Sequence, residues 1–568
     1  MPTWSGWTGA ETNGATAADA ISGVVSVTNE EASDSGQVNP WKRVIRGSFE
    51  CDLGVRRELN RCQSPSIAAT GSFTATMGPM PTAAPLDFLP PRLDGRVLAL
   101  SRRLLPWYLR RQCAITSLEV LHLERLVAAM DRFQAGESRL LLAFRHPSVD
   151  DPACLAHLIW RDLAREGRRL GRQWRPRPHF QFLYDRGIPL WAGPRIGWLL
   201  QRLGGCSIQR GKLDTAALRT ARQLLLDGPY PLAVAPEGAT NGHNERLSAL
   251  EPGAAQLAFW TADDLAKAQR PEAMTVLPIG VQYRFSGNAW PAIEALLCQL
   301  ERQSGLATQP AASPDPEALY LRLFALAERM LTLMETFYRD SYHRDLPVAT
   351  AAAPAADAAT ATQATAPTAN LALAERLGRL LETALAEVEQ SLAIDPRGDL
   401  ASRCRRLEQA AWDRLYQAAP PTPLERGLAD RLAEETAQRL WHMRLVESFV
   451  AVSGDYVRER PSQERFADTL LLLWDTQARI LGRDPGTRPR LGPRTALISL
   501  GEAIAFTPLL EDYHRDRRRA VARLTADLQR QLEALIEPSG LADQASRTQR
   551  PSPGSSRPNQ RIGHGPSH

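Results

Sequence analysis

The fold is indicated first by residues 140–152, which read LLLAFRHPSVDDP. The five apolar residues at 140–144 have the length of a buried β-strand. The strand delivers His146 into a turn, and Asp151 follows five positions later, where a helical pattern begins. This stretch therefore predicts a strand, a turn and a helix in succession, with a histidine in the turn and an aspartate near the start of the helix.

The same alternation continues along the chain to about residue 340. Further short apolar runs predict strands at Phe180–Leu183, Cys206–Gln209, Leu232–Ala235 and Met274–Tyr283. Helical spacing of apolar residues predicts helices at Pro152–Arg165, Thr215–Asp227, Gly253–Ala268 and Pro316–Arg339. Because strands alternate with helices, we expect an α/β domain whose sheet is mixed, largely parallel and flanked by helices.

Composition divides the 568 residues into five segments. Residues 1–80 are rich in Gly, Ser, Thr and Ala and lack a regular apolar period, so they are predicted to be disordered. The α/β domain, with amphipathic helices at its N-terminal end, occupies 93–345, and an Ala/Thr/Pro linker occupies 347–369. We expect a separate all-α domain at 370–540 and a disordered tail rich in Pro, Ser and Arg at 541–568.

Two features predict the C-terminal helices. A helix is predicted to begin at Thr422–Glu425, where threonine and glutamate have the spacing of a capping box and proline takes the first helical position. In an earlier helix the apolar residues form one stripe, made of Leu373, Leu377, Leu380, Ala384, Leu385, Val388 and Leu392. Neither feature carries chemistry, so the sequence leaves the role of this domain open.

The bulk composition disfavours several classes of protein. The formal net charge is only +5 and both signs are interspersed, so nucleic acid is not an expected partner. Seven scattered cysteines without a CxxC pair indicate neither a disulfide framework nor a zinc site, and we expect no metal and a cytoplasmic setting. No apolar run approaches the roughly 18 residues of a membrane-spanning helix, so membrane contact is expected to be peripheral.

A candidate membrane contact lies in the helical pattern of Leu93–Gln134. Basic residues there flank an aliphatic and aromatic cluster, as in an interfacial amphipathic helix beside anionic lipid headgroups. An ordinary helix packed on the following domain explains the pattern equally well. Pro106 predicts at least a kink or two short helices. The residues concerned are Arg102, Arg103, Leu104, Leu105, Trp107, Tyr108, Arg110 and Arg111.

The spacing of His146 and Asp151 carries the chemistry. A bend between them can bring the carboxylate back to the imidazole, where it fixes the tautomer and leaves the other ring nitrogen free as a base. This is the base-and-orienter part of a catalytic triad, with a substrate hydroxyl in place of the nucleophile. The same spacing recurs at His157 and Asp162 inside a predicted helix. Residues five apart on an α-helix point about 140° from each other, so this second match is expected to be chance.

Together with the sequence around it, the His146–Asp151 motif resembles the glycerolipid acyltransferase family, typified by the lysophosphatidic acid acyltransferases. The resemblance covers roughly residues 95–340. Four sequence blocks occur in the family's order, each at a predicted strand end. The first is His-x-Ser-x-x-Asp, and the others are a glycine-led strand ending in arginine, a Glu-Gly block after an apolar strand, and a strand around a proline. They correspond to His146, Ser148 and Asp151; to Gly204–Arg210; to Val234–Asn241; and to Val276–Val281.

The resemblance implies an acyltransferase domain and a role for each block. His146 would deprotonate the acceptor hydroxyl, which attacks the thioester carbonyl of acyl-CoA or acyl carrier protein, and Asp151 would orient it. No cofactor is implied beyond that donor. Arg210 would contact an acceptor phosphate. Glu237 and Gly238 would shape the acceptor site, Pro278 would line the acyl path, and Ser148 is grouped with these substrate-binding residues.

Two departures from the family pattern bear on the acceptor. Thr240 stands where the family usually has a second phosphate-binding arginine, and Arg145 replaces an asparagine often found before the histidine. Loss of a cation weakens the binding of an anionic headgroup, because charged hydrogen bonds contribute about 1.5–3 kcal/mol. Lys212 and Arg246 are possible substitutes. Lysophosphatidic acid is the first-ranked acceptor by resemblance, and a neutral lipid alcohol stays open.

Two alternative functions stay open as well. A catalytically silent lipid- or protein-binding module could keep the fold, and the long C-terminal helical region suits such a role. A serine hydrolase using Ser148 is a weaker alternative, since the Gly-x-Ser-x-Gly turn is missing and Ser148 lies only two residues from His146. The oligomeric state is not predicted.

Overall fold

The computed structural model describes residues 86–209, 213–308, 315–346, 367–418, 420–449, 455–483 and 487–539. The segments predicted as disordered at 1–80 and 541–568, and nearly all of the predicted linker at 347–369, lie outside these ranges. Arg210 and Lys212 lie outside them as well.

A mixed eight-stranded sheet forms the centre of the described chain. Its spatial order is β1-β7-β6-β2-β5-β3-β4, and β8 pairs with β6. The pairs along β6-β2-β5-β3-β4 are parallel, β1 and β7 are parallel to each other, and β6 is antiparallel to both β7 and β8. The strands are β1 (Ile115–Leu121), β2 (Ser138–Phe144), β3 (Gln181–Asp185), β4 (Gly205–Ile208), β5 (Leu232–Val234), β6 (Ala273–Phe285), β7 (Arg494–Leu500) and β8 (Ile504–Ala505).

Helices cover the sheet and form most of the later chain. Within the described ranges, the α-helices up to residue 342 are α1 (Gly95–Arg111), α2 (Leu123–Gln134), α3 (Asp151–His157), α4 (Ala164–Arg169), α5 (Ile188–Ala192), α6 (Pro194–Arg202), α7 (Thr215–Asp227), α8 (Gly253–Lys267), α9 (Trp290–Gln303) and α10 (Pro316–Tyr342). The others are α11 (Pro367–Leu392), α12 (Leu400–Leu415), α13 (Pro423–Phe449), α14 (Asp455–Glu459), α15 (Gln463–Ile480), α16 (Leu510–Arg515) and α17 (Arg517–Ala534). None of these described helices is long and apolar enough to cross a membrane.

Strand β2, which carries the run Leu140–Phe144, lies between β6 and β5 near the middle of the sheet. Its side chains alternate between two apolar cores, because successive residues of a strand point to opposite faces. Leu140 and Leu142 pack with α1, α2 and α3 on one face. Leu141 and Ala143 pack with α7, α8 and α17 on the other. The predicted α/β fold, with a mixed and mostly parallel sheet flanked by helices, is therefore confirmed.

The C-terminal region is largely helical, as predicted, but the expectation of a separate all-α domain is wrong. Its segment Arg494–Leu500 forms β7, which lies between β1 and β6 in the central sheet. The run Ala496–Leu500 is buried, as suits a strand inside a sheet. Helices α11–α13 and α15 also share one apolar core with α9 and α10. Packing therefore joins this region to the α/β part of the chain.

The N-terminal helical pattern also differs from the prediction. Strand β1 (Ile115–Leu121) interrupts the pattern expected over Leu93–Gln134. Helix α1 runs from Gly95 to Arg111 through Pro106, so the chain does not divide into two short helices there. The predicted capping box is confirmed: Thr422 N–H donates to Glu425 Oε2 at 3.1 Å, and Glu425 N–H donates to Thr422 Oγ1 at 3.2 Å.

Candidate active site

His146 and Asp151 meet at the carboxyl end of β2. Asp151 is the first residue of α3, and the turn between the two elements folds its carboxylate back on the ring. His146 Nδ1 lies 2.9 Å from Asp151 Oδ2, which also accepts a hydrogen bond from the backbone N–H of Ser148 at 2.8 Å. Ligands of parallel sheets bind at the carboxyl ends of the strands, so the pair lies at the edge where such sites form.

The other oxygen of Asp151 is bonded as well. Oδ1 accepts a hydrogen bond from the hydroxyl of Tyr283 on β6. Burial raises the pKa of Asp151, whose side chain is fully enclosed, while the donors His146, Tyr283 and Ser148 act in the opposite direction by stabilising the carboxylate. Three hydrogen-bond donors thus stabilise the buried carboxylate, which suits a group that orients a histidine.

The imidazole of His146 keeps one side available. Its side chain is 19% exposed, whereas that of Asp151 is 0% exposed. Phe144 packs edge-on against the ring, with the ring centroids 5.7 Å apart. Within the described part of the chain, no group forms a hydrogen bond with Nε2. With Nδ1 directed at the carboxylate, Nε2 is the nitrogen able to accept a proton from a bound molecule.

Glu237 joins the end of β5 to the end of β2. Its Oε1 accepts the backbone N–H of His146 at 2.7 Å. Its Oε2 accepts Asn241 Nδ2–H and the backbone N–H of Ser248, each at 3.0 Å. Burial raises the pKa of Glu237, and the backbone donors His146 and Ser248 oppose that effect. Glu237 therefore fixes the backbone at His146 and the loop after β5, and it does so through the two oxygens of a buried carboxylate.

Arg145 binds the loop that follows β5. Its side chain is fully buried, and its guanidinium donates to four carbonyl oxygens. Two of these bonds, to His243 and Arg246, are 2.8 Å long, and a third, to Val281, is 3.2 Å long; the fourth acceptor is Asn244. A buried cation without such partners would be costly. Arg145 is therefore a structural clamp on residues 243–246.

The C-terminal region also binds residues 244 and 245 of this loop. Asp468 on α15 accepts the backbone N–H of Asn244 at 2.8 Å and its side-chain N–H at 3.1 Å. Arg465, also on α15, lies 2.9 Å from the carboxylate of Glu245. The backbone N–H of Glu245 donates to Tyr456 Oη on α14 at 3.1 Å. Helices α14 and α15 therefore form part of the support of the site.

The remaining residues of the family-like blocks occupy different positions. Gly238 follows Glu237 with φ +74°, a conformation that favours glycine, and an added Cβ 2.0 Å from Glu251 Oε1 would also displace that carboxylate. Thr240 is exposed. Pro278 is buried in β6 opposite Ala143, and its carbonyl accepts the backbone N–H of Gly501. An acyl-path role for Pro278 stays a prediction, as does the phosphate contact of Arg210.

His157 and Asp162, the second His-x4-Asp match, are in contact, so the prediction that their side chains point apart is wrong. His157 Nδ1 lies 3.1 Å from Asp162 Oδ2. The reason is that Leu158–Leu163 form a π-helix, in which residues five apart lie above one another. Arg165 also bonds Asp162 at 3.0 Å. The described residues therefore contain two bonded histidine–aspartate pairs with the same spacing, and of these two histidines His146 is the one at the end of a central strand.

Sequence reasoning missed Tyr283, Asn244 and Asp468. Tyr283 ends an apolar run that predicted only a strand, and Asn244 and Asp468 are 224 positions apart. No motif marks these residues, so their roles become visible only through the contacts that the fold creates. Arg145 was noticed as a departure from the family pattern, but its burial was not foreseen.

Within the described residues, no group of three or more His, Cys, Asp or Glu side chains is arranged to hold a metal ion. No protein-family model matches the sequence, and no curated protein matches it significantly. A function for the chain is therefore inferred from the geometry of this site and from the four-block resemblance.

Proposed function

We propose that the protein is an O-acyltransferase of glycerolipid synthesis, which moves a fatty acyl group from acyl-CoA or acyl carrier protein to a hydroxyl of a lipid acceptor. The observation that carries this proposal is the 2.9 Å contact between His146 Nδ1 and the buried carboxylate of Asp151. It leaves Nε2 of a partly exposed histidine at the carboxyl end of β2, in the parallel part of the sheet, where a substrate hydroxyl can reach it.

The proposed reaction needs one base and no covalent enzyme intermediate. His146 Nε2 takes the proton of the acceptor hydroxyl as that oxygen attacks the thioester carbonyl. The tetrahedral intermediate collapses, the C–S bond breaks, and the proton on His146 passes to the departing thiolate. Asp151 holds the ring in the tautomer that carries hydrogen on Nδ1 and stabilises the imidazolium while it exists.

The acceptor with the strongest support is 1-acylglycerol 3-phosphate, because the resemblance to lysophosphatidic acid acyltransferases favours it. Thr240 argues in the other direction, since a threonine supplies no positive charge to a phosphate. Arg246, the cation that could replace the missing arginine, lies in the loop held by Arg145, and its guanidinium is 5.5 Å from the ring centroid of Tyr456. A neutral lipid alcohol such as diacylglycerol is therefore the second candidate acceptor.

A peripheral position on a membrane belongs to the same proposal, and α1 supports it. One face of this helix packs through Leu105 and Leu109 on the core that contains α3. The opposite face exposes Leu104 and Trp107, which are 49% and 54% exposed. Three exposed arginines, an aliphatic neighbour and a tyrosine adjoin them, namely Arg103, Arg110, Arg111, Leu100 and Tyr108. Apolar side chains beside cations match a surface of anionic lipids.

The test is acyl transfer by the purified full chain from labelled acyl-CoA or acyl carrier protein, beside His146→Ala. The acceptor panel contains lysophosphatidic acid, glycerol 3-phosphate, lysophosphatidylglycerol, diacylglycerol and an isoprenoid quinol. Transfer that disappears in His146→Ala supports the enzyme, and the acceptor used decides whether Thr240 has removed phosphate recognition. A folded wild type that binds lipid but transfers to no acceptor would instead support a binding module.

A further inference from the structure

We propose that Tyr283 is a positioning residue of the His146–Asp151 pair, holding the carboxylate through the oxygen that the imidazole does not use. This inference rests on the proposed acyltransferase function for its catalytic meaning. The relationship itself stands on geometry, because the hydroxyl of Tyr283 is in direct contact with Asp151.

The donors divide between the two oxygens of Asp151. Oδ2 accepts from His146 and from the backbone N–H of Ser148, at 2.9 and 2.8 Å. Oδ1 accepts from the hydroxyl of Tyr283. With a donor on each oxygen, the carboxylate cannot rotate without breaking a bond. Its plane, and with it the direction of the bond to His146, is therefore fixed from both sides.

Tyr283 is itself held rigidly. It lies on the long central strand β6 and is only 2% exposed. Its backbone N–H donates to Asn244 Oδ1 at 2.8 Å. The guanidinium of Arg494 on β7 lies 4.7 Å from the centroid of its ring, and Arg494 Nη2 bonds Asp150 at 2.6 Å. A cation over an aromatic face is an attractive contact, strengthened by burial. The C-terminal strand β7 thus contributes to the support of the catalytic pair.

The hydroxyl of Tyr283 can act only as a donor to the anion. Burial raises its pKa well above the usual range, and the negative charge of Asp151 acts in the same direction, so the phenol keeps its proton. The charged or titratable groups around the Tyr283–Asp151–His146 chain come from several elements, namely Arg145, Asp150, Cys154, Glu237 and Arg494. All of them remain in Tyr283→Phe, so a change in titration reports the hydroxyl.

The sign of the expected change follows from charge. Without the hydroxyl, the carboxylate loses one of three donors and its negative charge is less compensated. The pair then binds a proton more tightly, whichever of the two side chains carries it. Since the base must be unprotonated to act, the acidic limb of kcat against pH moves to higher pH. We expect a shift of about one pH unit and a kcat about 10-fold lower near the limb, with KM within about twofold.

The test compares full-length wild type, Tyr283→Phe and Tyr184→Phe. Tyr184 is the matched control, because it is a buried tyrosine of the same sheet whose hydroxyl has no hydrogen-bond partner among the described residues. Thermal unfolding of the three proteins checks the fold. Two measurements are made: the kcat profile against pH for acyl transfer, and the titration of His146 by NMR of histidine-labelled protein, with the signal assigned by its loss in His146→Ala.

An upward shift of the His146 titration in Tyr283→Phe, absent in Tyr184→Phe, supports the positioning role. An unchanged titration overturns it, even where activity falls, since a merely structural role would lower activity without moving the limb. The NMR arm needs no turnover. A wild type that transfers no acyl group while the His146 titration still shifts would therefore count against the proposed function and not against the link between Tyr283 and the pair.

Discussion

The backbone N–H of His146 donates to Glu237 Oε1 at 2.7 Å. One residue follows β2 and the other follows β5, which is the parallel neighbour of β2. The bond therefore ties together two strand ends that lie 91 positions apart in sequence. It also places the Glu-Gly block of the resemblance directly against the His-x-Ser-x-x-Asp block, so that both blocks contribute to one site.

The first prediction concerns Glu237. In Glu237→Gln an NH2 group, which can only donate, replaces one carboxylate oxygen. The variant therefore cannot accept the hydrogen bonds of His146, Asn241 and Ser248 all together. At least one buried donor loses its partner, so we expect a free energy of unfolding lower by about 1–3 kcal/mol. Urea unfolding measures it. We also expect slower acyl transfer. A variant as stable and as active as the wild type would show that these bonds do not support the site.

The second prediction concerns Arg145. Arg145→Lys keeps the positive charge but has a single nitrogen, which cannot reach the carbonyls of His243, Asn244, Arg246 and Val281 together. We expect destabilisation by about 3 kcal/mol or more, because buried carbonyls and a buried cation lose partners. Chemical denaturation checks this. Arg103→Lys, at an exposed position of α1, is the control and should change stability by less than about 0.5 kcal/mol.

The third prediction is a pH dependence of stability. Burial raises the pKa of Asp468 to about 7, against bonds from Asn244 and Tyr456 that favour the anion. In the unfolded chain the pKa is about 3.9, so between these values the folded state binds more protons than the unfolded state. The contribution of Asp468 to stability is therefore greatest at low pH and is lost as pH rises towards 7.

The measurement is the free energy of unfolding of wild type and Asp468→Asn at pH 5 and pH 8. The wild-type value minus the variant value should fall by about 2.7 kcal/mol between the two, since the folded-state pKa lies about two units above pH 5 and one pKa unit corresponds to about 1.4 kcal/mol. The subtraction removes the contribution of other buried acids such as Glu237. A difference that stays constant, or that grows with pH, would contradict the burial of a protonatable Asp468.

The fourth prediction concerns α1. Replacing Trp107 by alanine removes the most exposed aromatic side chain of this helix without opening the core. We expect binding to vesicles of anionic phospholipid to weaken about 10-fold or more, since burial of such a side chain contributes about 1.5–3 kcal/mol. Co-sedimentation at low and high salt measures it. Leu213→Ala, another exposed apolar position, is the control, and equal weakening in both variants would mean that α1 is not the contact.

Local patterns predicted most strands and helices of residues 138–342, because those elements carry clear apolar periods. The same patterns predicted the contact between His146 and Asp151, since both residues lie in one strand–turn–helix stretch. Strand β7 was missed because its seven residues follow a long helical region, and its partners β1 and β6 are distant in sequence. Long-range pairing of this kind depends on the folded core, which a local pattern does not encode.

The two histidine–aspartate pairs illustrate the same limit from the other side. Spacing alone made His157 and Asp162 look like a chance match, yet a π-helix brings them to 3.1 Å. A hydrogen bond between histidine and aspartate is thus not enough to define the site. What distinguishes His146 is its place at the end of β2, where Glu237 accepts its backbone N–H and Tyr283 donates to the carboxylate of its partner Asp151.

The central claim is that His146 is the base of an acyl transfer, and the most direct test compares His146→Ala with His157→Ala. The two histidines have nearly equal side-chain exposure, 19% and 20%, and each bonds an aspartate five positions later. We predict that the rate of transfer from an acyl thioester falls at least about 100-fold in His146→Ala and stays within about twofold of wild type in His157→Ala. Equal rates in wild type and His146→Ala, or equal losses in both variants, would contradict the account.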